Sequence, residues 1–381
     1  MKSELSSVDI YVLTRELDQQ LRGRRFDKFY QIAEKTLKIR LRQVKQDLII
    51  AKNYLCLSDF DRKSPERPSS FAMQLRKHLS GGIIESVSQH SFDRIVIFSV
   101  NVGDRRYSLV AELFSKGNIF LLDSEWTILG LLEWQKWRDR TLGVGVKYSF
   151  PPSQMNPFES DPDAVGVVIL KSDKRLAATI ATELNLGGSY AEEMCILSGV
   201  DKNRTASDLT KYEGESILKA LGEFSKTVKE AGNPVIVLDG GEPADISPMM
   251  LKKFERLEVR KTETFNQAVD ELFSPRDMMQ SQSAAESEAT EKEEKLARIR
   301  SEQESAIKKL EEKARVSKNR GDLIYQSLNE IQTVVDQIRK ARDAGLSDKD
   351  IMEKFEQGKK KDIIEAKLVK SLKKDKLVLD L

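Results

Sequence analysis

Apolar and polar positions alternate with period two through residues 91–123. Ile95 and Ile97 fall on one side of a first run, and Leu109, Ala111 and Leu113 on one side of a second. The turn pair Gly103-Asp104 separates them, which predicts an antiparallel hairpin, and residues 118–122 read as a third strand. Further strand-like runs lie at 26–32, 37–41, 47–51, 53–57 and 126–132. In one of these, Leu37, Ile39 and Leu41 alternate with Lys38, Arg40 and Arg42. One face is then apolar and the other basic, so the basic face meets either solvent or a polyanion.

Helical spacing appears elsewhere. Ile10, Leu13, Leu17 and Leu21 recur at three to four residues after Ser6-Ser7, a credible N-cap, and Gly23 ends the helix. Ser69 or Ser70 caps a second helix, with Phe71, Leu75 and Leu79 inward, Arg76 and Lys77 outward, and Gly81-Gly82 as its stop. Residues 1–155 therefore predict one α+β module with a largely antiparallel sheet or barrel. An acidic, proline-bearing linker at 156–163 leads into helices at 176–184, 190–197, 206–212 and 215–231, then a strand at 233–239 and a short helix at 265–273. Leu186-Gly187-Gly188 turns sharply between two of the helices. A helix–glycine hairpin–helix unit can present backbone N–H groups to a phosphate, and it is also common in plain helical bundles.

Residues 274–290 read as linker. Beyond them a 3-4 seam runs through Leu296, Ile307, Leu310, Ile324, Leu328, Ile331, Val335 and Ile338, a coiled-coil arm that ends at Asp343-Ala344-Gly345. A lone arm cannot bury this stripe, so either a returning helix lies beyond this chain or two chains pair as a homodimer. Ser347 caps a helix to residue 357 that Gly358 closes, and 367–381 reads as a β-hairpin around 373–375. The units are thus 1–155, a helix-hairpin-helix module at 170–275, the arm at 285–343, and a small α/β tip at 344–381.

The charged fraction, 33%, exceeds the globular norm of about 25%. It supports a long exposed helix. The net charge of +2 conceals an asymmetry. Residues 1–150 carry 25 Lys+Arg against 18 Asp+Glu, and residues 151–280 carry 15 against 22. A basic amino-terminal module can attract a polyanion such as RNA. Interleaved aromatics and bases at Trp134, Lys136, Trp137, Arg138, Arg140 and Lys147 can stack on nucleotides or simply close a core.

The two cysteines, Cys56 and Cys195, lack metal-ligand spacing. The two histidines, His78 and His90, stand near no nucleophile motif, and no phosphate-loop, zinc-protease or nucleophile-elbow pattern occurs. No secretory leader and no apolar run of about 18 residues is present, so a cytoplasmic protein that touches no membrane is expected. These features favour a binding protein with no cofactor, no metal and no active site of its own. Asp93-Arg94, at the mouth of the first hairpin strand, is the pair singled out. In a strand, neighbouring side chains point to opposite faces, so at least one meets solvent, a partner or another element.

Several stretches together resemble the NFACT family, the RqcH/NEMF-type ribosome-associated quality control factors, in its prokaryotic, archaeal form. They are SSVDIYVLTREL (6–17), PSSFAMQLRKHLSGG (68–82), FDRI (92–95), AELFSKGNIFLLD (111–123), LNLGGSYAEEMC (184–195), ETFNQAVDELF (263–273) and NRGDLIY (319–325). The resemblance implies an amino-terminal module shaped like the formamidopyrimidine-type DNA glycosylases but without their terminal proline nucleophile. It implies a factor that binds stalled large ribosomal subunits carrying peptidyl-tRNA. Such a factor recruits aminoacyl-tRNA, alanine tRNA in prokaryotic members, so that the ribosome extends the nascent chain without mRNA. The family's functional acids and arginine fall on Asp9, Asp93 and Arg94. Arg94 can offer a planar fork to a phosphate or a base edge, and an aspartate beside it can orient that fork. Asp9 could act likewise or serve the helix dipole. Arg76 and Lys77 are further tRNA candidates. The family continues into a returning helix and a carboxy-terminal RNA-binding module, both missing here, so a fragment is expected. Two other readings compete: a DNA glycosylase or lyase on the same scaffold, and a coiled-coil adhesin or scaffold.

Overall fold

Antiparallel hairpins dominate the first of two compact units, residues 1–284. The computed structural model describes residues 2–381 apart from 115, 137–140, 153–154, 231 and 375, with backbone alone at 135–136 and 284–289. After helix α1 (Ser7–Leu21) come β1 (Arg25–Ala33), β2 (Thr36–Arg42), β3 (Asp47–Ile50) and β4 (Leu55–Ser58). Helix α2 (Ser70–Leu79) separates these from β5 (Ile83–Gln89), β6 (Ile95–Val102), β7 (Arg105–Glu112), β8 (Ile119–Leu122) and β9 (Ile128–Leu131). All nine form one sheet in the order β4-β3-β2-β1-β5-β6-β7-β8-β9. Each hairpin pairs its neighbour, as period-two patterning requires. At Gly103 the chain takes φ +58°, and β6 and β7 register from Ile95 against Glu112 to Val102 against Arg105.

Alternation along β6 serves two cores. Val96, Phe98 and Val100 join the main cluster with α1, whereas Ile95 joins Val110, Phe120, Leu122 and Tyr148 on the other face. Trp126 and Phe150 pack against that second cluster. A two-stranded pair, β10 (Gln135–Lys136) and β11 (Thr141–Leu142), follows.

Helix α3 (Pro162–Leu170) begins inside the expected linker, its proline in the first turn where no N–H is needed. Helices α4 (Leu176–Thr182) and α5 (Gly188–Ser198) form the glycine hairpin. Of residues 206–212, expected as one helix, Ala206–Asp208 form a 3-10 turn and the last two residues already belong to the next helix. Helix α6 (Lys211–Lys229) starts with a Thr210–Glu213 capping box. Strand β12 (Val235–Asp239) is central to a small sheet between β13 (Glu242–Ser247) and β14 (Val259–Lys261), two polar strands that the sequence pattern did not show. One apolar cluster runs from Leu5 to Phe273. The first two expected units, 1–155 and 170–275, therefore share a core.

The short helix expected at 265–273 is the beginning of α7 (Phe265–Gln326), 62 residues long. The expected linker at 274–290 is helical, with Pro275 inside it. An interior proline costs a helix about 3 kcal/mol. Tertiary bonds offset that cost: Asp270 accepts from the Asp59 amide at 2.9 Å, and Ser274 and Asp277 both bind Arg62. Glu16 of α1 caps α7 by accepting from Phe265 and Asn266, each at 2.9 Å. Burial pushes the Glu16 carboxyl above its ordinary range, against those two amides. Asn266 does more: its side-chain amide accepts from Leu57 N–H at 2.7 Å and donates to Leu57 C=O at 2.8 Å, as a neighbouring strand would along β4.

In the second unit, residues 285–381, the helix breaks at Ser327 and resumes as α8 (Leu328–Asp343). Helix α9 (Asp348–Lys360), started by a Ser347–Asp350 capping box, runs through Gly358 rather than ending there. At Gly358 an added Cβ would lie 2.8 Å from that of Ala366, in α10 (Ile364–Lys367). Strands β15 (Val369–Lys373) and β16 (Lys376–Leu379) complete the unit; Asp375, in the expected turn, lies outside the described residues. Val334, Ile338, Ile351, Phe355 and Val369 form its own core. Along α7, in contrast, Leu296, Ile307 and Leu310 of the expected seam are exposed.

Candidate nucleic-acid interface

The first turn of α1 is built around Asp9. Its Oδ2 accepts from the Ser6 N–H at 2.7 Å and from the Ser6 hydroxyl at 2.8 Å, while the Asp9 N–H donates to Ser6 Oγ at 3.2 Å. This reciprocal box contributes about 1 kcal/mol to the helix. The other carboxylate oxygen accepts from Lys2 Nζ at 2.9 Å and from the Tyr190 hydroxyl of α5 at 2.6 Å. Asp9 is fully buried, so it holds Lys2 and Tyr190 and does not itself reach solvent. Burial first, and the Asp9 carboxylate next, push the Tyr190 phenol well above its ordinary pKa.

Asp93 and Arg94 lie in the turn before β6, not in the strand, which starts at Ile95. The expectation that they point to opposite faces of a strand is therefore corrected: turn geometry sets both. Asp93 Oδ1 accepts from the Arg94 backbone N–H at 2.7 Å and so shapes the turn. Gln89 Nε2 donates to Asp93 C=O at 2.8 Å and to Ser7 C=O at 2.9 Å, fastening the turn to α1. Asn185, from the glycine hairpin, donates to Phe92 C=O at 2.6 Å. The Arg94 guanidinium pairs with Glu4 at 2.7 Å and remains partly open to solvent.

These pieces converge on a cleft of about 600 Å³. Arg94, Lys2 and Lys253 bring positive charge to it, and Glu4, Glu192 and Asp245 bring negative charge. Gly187, at φ +82°, brings the hairpin so close that an added Cβ would sit 3.0 Å from that of Ser6. The start of α5 has no side-chain cap, and Lys253 Nζ donates to Ser189 Oγ at 2.5 Å beside it. The uncapped start of α5, two lysines and a guanidinium, all lining one cleft, suit oxygens of phosphate esters. Among the described residues no three of His, Cys, Asp and Glu cluster as a metal site requires, and both cysteines are free and buried.

The profile of the NFACT N-terminal and middle domains matches residues 6–370. The chain belongs to the NFACT family. The archaeal Rqc2 homolog aRqcH of Methanocaldococcus jannaschii is 32% identical over 362 residues, which cover 90% of this chain and 53% of that protein. The human ribosome quality control complex subunit NEMF is 25% identical over 370 residues, covering 90% of this chain and 34% of NEMF. The chain thus spans about half the length of the first relative and a third of the second. In fold, it matches the N-terminal structure of the fibronectin/fibrinogen-binding protein from Streptococcus suis, with a TM-score of 0.57 and 23% identity over 72% of this chain and all of that one. The α+β class expected from the sequence is the fold observed.

In this NFACT chain the cleft gathers only some of the candidates. Arg94 lines it, Asp93 shapes the turn behind Arg94, and Asp9 lies beneath Lys2. Arg76 and Lys77 do not line it. Arg76 is drawn inward: its Nε donates to Phe29 C=O at 2.9 Å and its guanidinium lies 4.9 Å from the centre of the Tyr30 ring. Lys77 is exposed on α2. Lys38 is buried rather than on a basic face, bonded to Arg62 C=O at 2.5 Å and paired with Asp47 at 3.2 Å. Trp134 is exposed and closes no core, while Trp137, Arg138 and Arg140 lie outside the described residues. Sequence reasoning missed Lys2, Ser189 and Lys253. No local pattern marks Lys2 or Lys253, and Ser189 is not singled out within the 184–195 stretch, because only tertiary packing brings positions 2, 189 and 253 together. The Gly187-Gly188 turn was the one available signal.

Proposed function

We propose that this chain is the tRNA-holding part of a ribosome quality control factor. It associates with stalled large ribosomal subunits carrying peptidyl-tRNA and recruits aminoacyl-tRNA, alanine tRNA in this reading, for tailing without mRNA. The observation that supports this most is the cleft in which Arg94, Lys2 and Lys253 meet the uncapped start of α5. Relatives that share nearly the whole of this chain carry ribosome quality control names. In this reading the chain works in the cytoplasm and has no active site; peptide bonds are made by the ribosome. Arg94 leaves Glu4 to meet RNA, Asp93 positions Arg94, and Asp9 sets Lys2. Arg76 and Lys77 add charge outside the cleft. The exposed stripe of α7 is covered by a returning helix or by a second copy of the chain.

The test is tRNA binding by this chain across a salt series, with alanine tRNA against an unrelated tRNA. Arg94→Ala is expected to weaken binding about tenfold with unchanged melting. Equal binding by wild type and variant would remove Arg94 from the interface.

A further inference from the structure

One face of the nine-stranded sheet gathers cations from strands far apart in the chain. Residues directly opposite one another in an antiparallel pair point to the same side. Arg42 of β2 stands opposite Arg25 of β1, Arg25 opposite Ile83 of β5, Ile83 opposite Asn101 of β6, and Asn101 opposite Arg106 of β7. Four strand spacings of about 4.8 Å make this row about 19 Å wide. Next along the same strands, Arg40 stands opposite Lys28, and Ser86, Ser99 and Ser108 follow one another across β5, β6 and β7. The five cations are exposed and the three serines half-buried. Like charges directly opposite destabilise a sheet, so Arg25–Arg42 and Lys28–Arg40 work against the fold. Carboxylates relieve them little. Asp27 lies 3.8 Å from Arg42, and Asp47, 3.7 Å from Arg40, is shared with the buried Lys38. Among the described residues, only Arg106 of the five has a closer ion pair, with Glu85 at 2.8 Å.

We propose that this sheet face is a docking surface for the phosphate backbone of double-helical RNA. That the polyanion is RNA rests on the function proposed above; the uncompensated positive face does not. Guanidinium, amide and hydroxyl donors are the groups that bind phosphate oxygens. The two rows hold no aromatic side chain on which an unpaired base could stack, so they suit a backbone rather than bases. The surface is separate from the cleft. None of its residues lines the cleft, and Arg94 precedes the opposite end of β6, about 20 Å along the strand from Asn101. An RNA that reaches both is held at two places.

Arg40→Gln combined with Arg42→Gln separates this role from folding. Each removes a charge that faces another cation, so the melting temperature is expected to hold or rise. Lys219→Gln combined with Lys226→Gln, at exposed positions of α6, is the control with the same change in net charge. The full 381-residue chain is titrated across salt with three probes: a plain RNA duplex, one of its strands alone, and a tRNA transcript. Wild type is expected to bind the duplex more tightly than the single strand. The β2 double variant is expected to lose about tenfold in affinity for duplex and tRNA, with the salt slope shallower by about two, and the α6 double variant to bind as wild type does. Wild-type affinity in the β2 variant, or an equal loss in both variants, would overturn the surface and leave the functional reading to Arg94→Ala. A single strand bound as tightly as the duplex would overturn the assignment to helical RNA. Duplex binding lost in the β2 variant, with tRNA bound no more tightly than duplex and unmoved by Arg94→Ala, would keep the surface and remove the tRNA reading.

Discussion

Helix α7 contains two stretches that obey different physics. In its first turns Phe265, Val269, Leu272 and Phe273 are buried, and Phe273 stacks on Tyr54 at 4.8 Å between ring centres. Polar residues there bind inward: Asp270, Ser274 and Asp277 meet Cys56, Asp59 and Arg62. From residue 296 onward the apolar side chains of α7 lie open and, among the described residues, its charges bond along the helix, as in Arg298–Glu302 at 3.1 Å and Arg300–Glu304 at 3.0 Å. Similar residue types thus do opposite work. Near the sheet they are structural ties that tolerate a proline; farther on they are a solvated surface whose stability rests on local pairs. Each local pair contributes little, because water screens it.

The sharpest way to break this contrast is at Arg62. Arg62→Met removes the charge that Asp277 and the Tyr54 and Ser274 hydroxyls share, and it is expected to cost about 3–5 kcal/mol in denaturant unfolding. Arg300→Ala is expected to leave the same transition unmoved. Next is Asp9→Ala, which deletes the capping box and strands Lys2 and the Tyr190 hydroxyl, for about 2–4 kcal/mol. Asp9→Asn keeps the cap and should recover part of the loss. A smaller effect is expected at the hairpin. Gly187→Ala forces a side chain into positive φ and against Ser6, costing about 1–2 kcal/mol, whereas Gly188→Ala should be tolerated. The smallest effect concerns the second unit at low pH. Hydrogen bonds from the Ser347 hydroxyl and backbone hold the Asp350 carboxyl below its ordinary 3.8. The cap is therefore complete above pH 3.8 and is lost as pH falls further, so Asp350→Ala should abolish that part of the acid loss of helicity seen by circular dichroism.

The contrast also explains what could be read from the chain. Period-two patterning placed β6, β7 and their Gly103 turn, because alternation and turn chemistry are local. Ser6 and Ser69 marked helix starts for the same reason. The run after Phe273 read as linker because Ser274-Pro275 breaks helices locally, while the bonds that keep it helical come from Arg62 and Asp59, two hundred residues earlier in the chain. Strands β13 and β14 escaped notice because they are short and polar, edges of a three-stranded sheet. At the cleft, Arg94 was legible through a family pattern. Lys2 and Lys253 were not, since a lysine's meaning there depends on which elements surround it.

The side-chain bridge from Asn266 to Leu57 has a consequence for how the molecule is made. The two residues are 209 positions apart. A chain emerging at about 5–20 residues per second would need on the order of 10–40 s between them. Throughout that interval β4 presents unpaired amides and carbonyls to whatever strand comes near. Yield during synthesis is then a race between elongation and association of nascent chains, and the amide of Asn266 ends it.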